Sequence, residues 1–413
     1  MSLNTTSFSR TCKAAIVGVS LSAMVAGYHP IAEARQPDAV AARQVPGNTR
    51  LEKVQRLFAA VESRATEEVR SLAADRTLVN ARDKDGKTAL MHAAISETLR
   101  VAVTSRDMKD MQKAADTMEI ADILIKQGAD VNAKDKQGKT ALMYSVASGS
   151  AMIVELLIGD KAVHKADINA KDKQGRTALR YALANGELPI VNTLIGHKAD
   201  VNSKDNQGRT ALMNAVASND PAAVMLLENK ADVKLKDKQG RTALMYAAES
   251  GHREMVSLMI GSSGGIVNAR YESDAAAKDG QGRTALMYAV ASGTLDSVKL
   301  LSGNMKSMNA KDRQGRTALM CVGANGDALA VTMILDNADL KAKDNLGKTA
   351  LDYATANGNQ VAAMLIENKG DMHANDRQGR TALSLAIEKG EKDVANILIQ
   401  RGAAGFHMDI RPN

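Results

Sequence analysis

The sequence predicts an all-α repeat solenoid, and three observations predict it. The string D-x-x-G-[KR]-T-A-L occurs nine times, with threonines at Thr88, Thr140, Thr177, Thr210, Thr242, Thr284, Thr317, Thr349 and Thr381. These lie 52, 37, 33, 32, 42, 33, 32 and 32 residues apart, a basic period of 32–33 with three insertions. After each motif come a short Ala-rich segment, a Gly or polar break and a second apolar segment, the pattern of two short helices. Aromatic rings are scarce, with 3 Phe, 7 Tyr and no Trp among 413 residues. Any core is therefore thin and filled by Ala, Leu, Val, Ile and the 21 Met. One such helix pair cannot bury its apolar face alone, whereas stacked pairs can.

Each piece of the unit has a physical reason, as in Asp205-Asn206-Gln207-Gly208-Arg209-Thr210-Ala211-Leu212. The Asp closes an Asx-type turn and the Gly permits positive φ within it. The Thr hydroxyl caps the first helix. Small Ala residues let paired helices approach closely. A Gly such as Gly149, Gly251, Gly293 or Gly390 follows the first helix, where a left-handed residue ends it. The second helix, such as Ala222 to Glu228, runs to a closing Ala231-Asp232-Val233.

These units resemble the ankyrin repeat, whose pattern is roughly D-x-x-G-x-T-P-L-H-x-A-A, then G-H-x-x-x-V-x-x-L-L, then G-A-D-V-N. Thr242-Ala243-Leu244-Met245-Tyr246-Ala247-Ala248 with Gly251-His252, and Gly128-Ala129-Asp130-Val131-Asn132, carry the likeness. The resemblance implies a β-turn plus two antiparallel helices per unit. Leu51 to Glu62 and Thr66 to Ala74 form an N-terminal cap without the full motif, and Asp376 to Ala404 form a polar C-terminal cap. About ten units including caps would make a curved rod roughly 100 Å long. The sequence departs from the family in places. The helix-start Pro is always Ala. The family His is replaced by Met91, Met143, Met213, Met245, Met287 and Met320, and elsewhere by Arg180, Asp352 and Ser384. Lys198 and Lys230 stand where a capping Gly is preferred. A left-handed Lys there would cost about 1 kcal/mol.

The ends read differently. Arg10 and Lys13, the uncharged stretch Ala14 to Gly27 and the small-residue site Ala32-Glu33-Ala34 make residues 1–34 a secretory signal peptide. An uncleaved anchor is disfavoured because 14 residues fall short of a bilayer core. A mitochondrial presequence is disfavoured because the apolar block is not amphipathic. Cleavage removes two of the 54 Lys and Arg and one of the 47 Asp and Glu, so the net charge goes from +7 to +6. It also removes Cys12 and leaves Cys321 with no disulfide partner. We expect a flexible linker over 35–50, the solenoid over 51–404 with insertions near 97–117 and 261–277, and a tail over 405–413. In the first insertion Thr104-x-x-Asp107 reads as a helix start, with Met108, Met111, Ala115 and Met118 on one face. Gly261 to Ala277 reads as a loop carrying Tyr271. Export without disulfides or a sequon in the mature chain points to the bacterial periplasm or to secretion.

No catalytic constellation emerges. Gly261-Ser262-Ser263-Gly264-Gly265 fits G-x-S-x-G but lacks the strand-then-helix setting of a nucleophile elbow. Gly86-Lys87-Thr88, Gly138-Lys139-Thr140 and Gly347-Lys348-Thr349 resemble the end of a phosphate loop, but Ala81, Ala133 and Ala342 replace its first Gly. The seven His are scattered. No enzyme activity, cofactor or metal is expected, and the mild positive charge with few rings argues against nucleic acid. What remains is surface. The resemblance implies a protein-binding face made by the turn tips and first helices. Arg176, Arg209, Arg241, Arg283, Arg316 and Arg380, with Lys87, Lys139 and Lys348, form one basic column. It would either meet an acidic partner or pair with the turn Asp. Tyr144, Tyr181, Tyr246, Tyr288 and Tyr353 form a second column, serving contact or packing between units. Cys321 in that column reads as a small apolar packer. The expected function is a monomeric, non-catalytic scaffold binding a partner protein, with a secreted effector engaging a host protein as the alternative, and an enzyme with an unrecognised site behind both.

Overall fold

A computed structural model describes residues 49–96, 107–160, 162–260, 274–358 and 360–403. The expected signal segment, nearly all of the expected linker, the expected tail, residues 97–106 and 261–273 of the two expected insertions, and the Gly261 to Gly265 string lie outside them. The described residues are helical with no strand among them, and they divide into two compact units. One unit comprises residues 49–212 and 221–231, the other residues 213–220 and 232–403.

The N-terminal unit opens with α1 (Arg50–Ser63), α2 (Thr66–Ala73) and the single turn α3 (Arg76–Val79). Then come α4 (Ala89–Ile95) with α5 (Met108–Lys126), α6 (Ala141–Ala147) with α7 (Ala151–Ile158), and α8 (Ala178–Ala184) with α9 (Leu188–Gly196). Helix α10 (Ala211–Ala217) spans the division, and α11 (Ala222–Glu228) returns to this unit. The cap expected before the first motif is present as α1 and α2, which pack on each other. Thr49 and Glu52 start α1 with a reciprocal capping box. Helix α5 takes its cap from Asp107, whose carboxylate accepts Lys109 N–H at 2.9 Å. Its first turns project, leaving Met108 76% and Met111 51% exposed.

The C-terminal unit pairs α12 (Ala243–Ser250) with α13 (Arg253–Ile260) and α14 (Ala285–Ser292) with α15 (Leu295–Ser302) and the short α16 (Met305–Met308). It continues with α17 (Ala318–Asn325) and α18 (Ala328–Ile334), α19 (Ala350–Thr355) and α20 (Gln360–Glu367), and α21 (Ala382–Lys389) and α22 (Lys392–Gln400).

First helices are buried almost all round, and second helices on one face. In α14 every residue from Ala285 to Ala291 is buried; in α15 only Ser297, Val298 and Leu301 are. The reason is position: a first helix has neighbours on both sides and a second helix behind it. Small residues make that spacing possible. A Cβ on Gly323 of α17 would lie 2.7 Å from the Ala350 carbonyl of α19. The turns stack as closely. Gly282 has φ +79°, and a Cβ there would meet Arg313 N of the next turn at 2.9 Å.

Lys198 and Lys230 adopt φ 67° and 66°, and Lys369 adopts 64° at the equivalent place. The sequence therefore puts a Cβ in the left-handed region three times, where Gly128 and Gly402 occupy it without strain. Replacing Lys198 or Lys230 by Gly should raise unfolding free energy by about 0.5–1 kcal/mol each in urea denaturation. The same change at an exposed helical Lys should lower it.

Candidate functional site

The first Asp of each motif is the hub of its turn. Oδ1 of Asp83, Asp135, Asp172, Asp205, Asp237, Asp279, Asp312, Asp344 and Asp376 accepts the backbone N–H groups two and four residues on, at 2.8–2.9 Å. Main-chain bonds complete the turn, as from Asp279 N–H to the Arg283 carbonyl at 2.9 Å.

The second oxygen reaches the first helix. Tyr144, Tyr181, Tyr246, Tyr288 and Tyr353 donate their hydroxyls to Oδ2 of the Asp nine residues earlier, at 2.5–2.8 Å. Four of these rings are buried and Tyr181 is half-buried. Burial, with hydrogen bonding to the carboxylate, holds the phenols of Tyr144, Tyr181 and Tyr353 well above the ordinary range. The arginine column ends on the same atom. Nε of Arg176, Arg209, Arg241, Arg283, Arg316 and Arg380 donates to Oδ2 of its own turn Asp at 2.8–3.3 Å. None of the six is exposed; Arg241, only 7% accessible, also bonds the Tyr246 hydroxyl and lies 3.5 Å from Glu249. The guanidinium carbons of Arg176, Arg241 and Arg283 sit 4.2–4.9 Å from the ring centroids of Tyr181, Tyr246 and Tyr288. Lys139 sits 5.4 Å from both Tyr144 and Tyr181, and Lys348 5.6 Å from Tyr353. Of the eleven residues picked from the sequence, Arg176 with Tyr181, Arg241 with Tyr246 and Arg283 with Tyr288 meet on one carboxylate. Tyr144 and Tyr353 reach their Asp in turns that carry Lys, and Arg209, Arg316 and Arg380 hold theirs in units without the tyrosine.

The exposed edge is made of other residues. The two positions between the Asp and the Gly face solvent, as Lys136-Gln137, Lys173-Gln174, Asn206-Gln207, Lys238-Gln239, Arg313-Gln314 and Arg377-Gln378. A second basic column precedes the Asp, and the sequence reading missed it. Lys134 Nζ donates to the Lys171 carbonyl and Lys171 Nζ to the Lys204 carbonyl, at 3.0 and 2.8 Å. Lys236, Lys278, Lys311 and Lys343 do the same to Lys278, Lys311, Lys343 and Asn375, at 2.8–3.1 Å. The recurrent A-K-D triplet was its visible signal. Among the described residues, no group of three or more His, Cys, Asp or Glu is placed to hold a metal ion, and no helix is long and apolar enough to cross a membrane.

Comparison with family models finds "Ankyrin repeats (3 copies)" over residues 111–205, 198–271, 258–344, 286–376 and 322–409, and "Ankyrin repeat" over 85–136. The chain belongs to the ankyrin repeat family. Ankyrin repeats are in general protein–protein interaction modules and are typically non-catalytic. No curated protein matches the chain.

Four ankyrin units lack the tyrosine, and two of them show what replaces it. In the first, His92 Nε2 lies 2.9 Å from Asp83 Oδ2, while Nδ1 faces Glu62 at 3.3 Å. In the fourth, where Asn214 takes the tyrosine position, the preceding unit supplies Arg180. Its Nη2 lies 3.0 Å from Asp205 Oδ2 and its Nη1 donates to the Arg209 carbonyl at 3.2 Å. A cation in the methionine column beside a missing tyrosine was the signal for it. Cys321 is a buried thiol outside any disulfide. In the last unit Leu385 stands at the tyrosine position, and the Asp376 carboxylate rests on Arg380.

Asp352 is the acidic departure in the methionine column. It is 1% exposed, and Oδ2 accepts Thr349 N–H at 2.7 Å and the Thr349 hydroxyl at 2.9 Å. Its buried Oδ1 has no hydrogen-bond partner. Burial raises its pKa from 3.8 to about 6, Thr349 opposes the shift, and Asp376 of the next turn adds to it.

Two outcomes follow. Tyr288→Phe should cost about 1–2 kcal/mol in urea denaturation with the helical spectrum unchanged, because Asp279 loses a buried donor but keeps Arg283. Asp352 binds its proton more tightly folded than unfolded, so its contribution is complete below pH 3.8 and disappears as pH rises through about 6. Asp352→Asn should therefore match wild type near pH 4 and exceed it by about 2 kcal/mol at pH 7.5.

Proposed function

We propose that this protein is an exported, monomeric, non-catalytic scaffold that binds a partner protein through its turn tips and the adjoining first-helix surface. Membership of the ankyrin family supports the interaction role. One observation carries the choice of face and partner: the turn carboxylates are spent inward while the neighbouring cations stay outside. Seven of the nine hub aspartates are buried, at 6–8% exposure, each satisfied by its own turn. Lys134, Lys136, Lys171, Lys173, Lys238 and Arg313 are exposed beside them. An edge with that imbalance favours a partner with an acidic surface. In this reading the tyrosines and column arginines act by holding the tips in place, with little direct contact. The charged start, the 14-residue apolar stretch and Ala32-Glu33-Ala34 support export to the periplasm or beyond.

Immobilised full chain should retain a partner from native extract, and Lys136→Glu with Lys173→Glu should release it while the fold persists. Retention unchanged by those reversals would refute the tip edge as the binding face. Cell fractionation with N-terminal sequencing tests export, with a mature chain beginning at Arg35 as the expected result. An intact Met1 on cytoplasmic protein would overturn it.

A further inference from the structure

We infer that the lysine ladder of the C-terminal unit is a track for an extended acidic segment of a partner protein, with carboxylates at every third residue. This rests on the interaction reading above and specifies the partner's chemistry.

Ordinary surface lysines sample many rotamers, and fixing one costs up to about 2 kcal/mol of side-chain entropy. Lys278, Lys311 and Lys343 are each held by one Nζ–H donated to the backbone carbonyl of the next repeat, which lowers that cost. An ammonium has three donors, so two per lysine remain for a ligand. Among the described residues none of the three has a carboxylate within salt-bridge distance, and all three are exposed. The hub carboxylates beside them, Asp279, Asp312 and Asp344, are buried and turned to their own turns. The exposed aspartates that open the units, Asp274 and Asp339, each hold one oxygen on the N–H two residues on. The tip positions alongside, Gly280-Gln281, Arg313-Gln314 and Asn345-Leu346, contain no acid.

The spacing selects the ligand's geometry. Successive ladder lysines are one repeat apart, and packed helices stand about 8–10 Å apart. A polyproline II strand has three residues per turn and about 3.1 Å per residue, so every third side chain returns to one face after about 9.3 Å. A β-strand returns to the same face after about 6.6–6.8 Å and falls out of step within two repeats. An extended chain also lies along a narrow edge without needing a groove.

The test titrates the full chain, by fluorescence anisotropy, with two peptides of five glutamates each, (Glu-Pro-Pro)5 and (Glu-Pro)5. The control probes are a helical peptide with glutamate at every seventh position and an oligothymidylate of equal charge. The Glu-Pro-Pro peptide should bind about tenfold tighter than the Glu-Pro peptide, and weaken with added salt. The triple change Lys278→Gln, Lys311→Gln and Lys343→Gln, which removes the charges while keeping polar side chains, should lose at least about tenfold of that affinity. Its circular dichroism and Tm should match wild type. Equal affinity for the two proline peptides, an undiminished triple variant, or tighter binding of the helical peptide or the oligothymidylate would overturn the inference. If no probe binds but partner capture still depends on Lys136 and Lys173, the ladder falls and the scaffold function stands. Loss of both results removes both.

Discussion

The buried carboxylate at the head of each turn is the constraint on which the rest of the structure depends. A carboxylate is costly to bury unless several donors surround it. Here two backbone N–H groups meet one oxygen, and a phenol, a guanidinium or both meet the other in the units that carry Tyr or Arg. The first pair shapes the turn, and the phenol ties that turn to the helix it introduces. An amide could not accept on both atoms. The residue type therefore follows from the two sets of donors that meet it.

From that hub the stack propagates by contacts between neighbouring repeats. In the C-terminal unit, from Asp279 onward, the N–H after the hub Asp donates to the tip carbonyl of the preceding turn, from Gly280 to Gln239, Arg313 to Gln281, Asn345 to Gln314 and Arg377 to Leu346, at 2.7–2.9 Å. The approach is close enough that a Cβ on the turn Gly would strike the next backbone. Each repeat thus completes its neighbour's hydrogen bonding, and stability accumulates as a sum of nearest-neighbour interfaces. Departures are tolerated when a neighbour supplies the missing group, as Arg180 does for Asp205. Asp352 brings no such donor, and its cost appears as a carboxyl that favours its proton.

Structure and recognition consequently draw on different columns of the repeat. Asp, Gly, Thr, Tyr and the motif Arg are consumed inside it. The residues before the Asp and between Asp and Gly are left at the edge, and there side-chain identity varies without disturbing the turn. A binding surface can change there while the scaffold stays the same.

The repeat, its period, the helix pair and the left-handed strain at Lys198 and Lys230 were legible in the sequence. They are local consequences of residue type and spacing. The expected Thr cap was met in part: the hydroxyls of Thr140, Thr317, Thr349 and Thr381 accept a first-turn N–H, while those of Thr88, Thr177, Thr242 and Thr284 make no such bond. The columns of Tyr and Arg were legible as columns, and pairing of the Arg column with the turn Asp was one of its two readings, but the choice between contact and pairing was not fixed by the sequence. Periodicity reports which residues share a register, whereas burial depends on where the side chain finds a partner. The hydroxyl of Tyr288 and the guanidinium of Arg283 are drawn inward because Asp279, remote from the tyrosine by nine residues, is folded back beside them. The lysine ladder and the Arg180 replacement join residues 25 to 42 positions apart. By itself, then, the sequence determined the fold and its local joints. Only the tertiary structure decided which charges stay exposed, because that depends on contacts between repeats that no single repeat encodes.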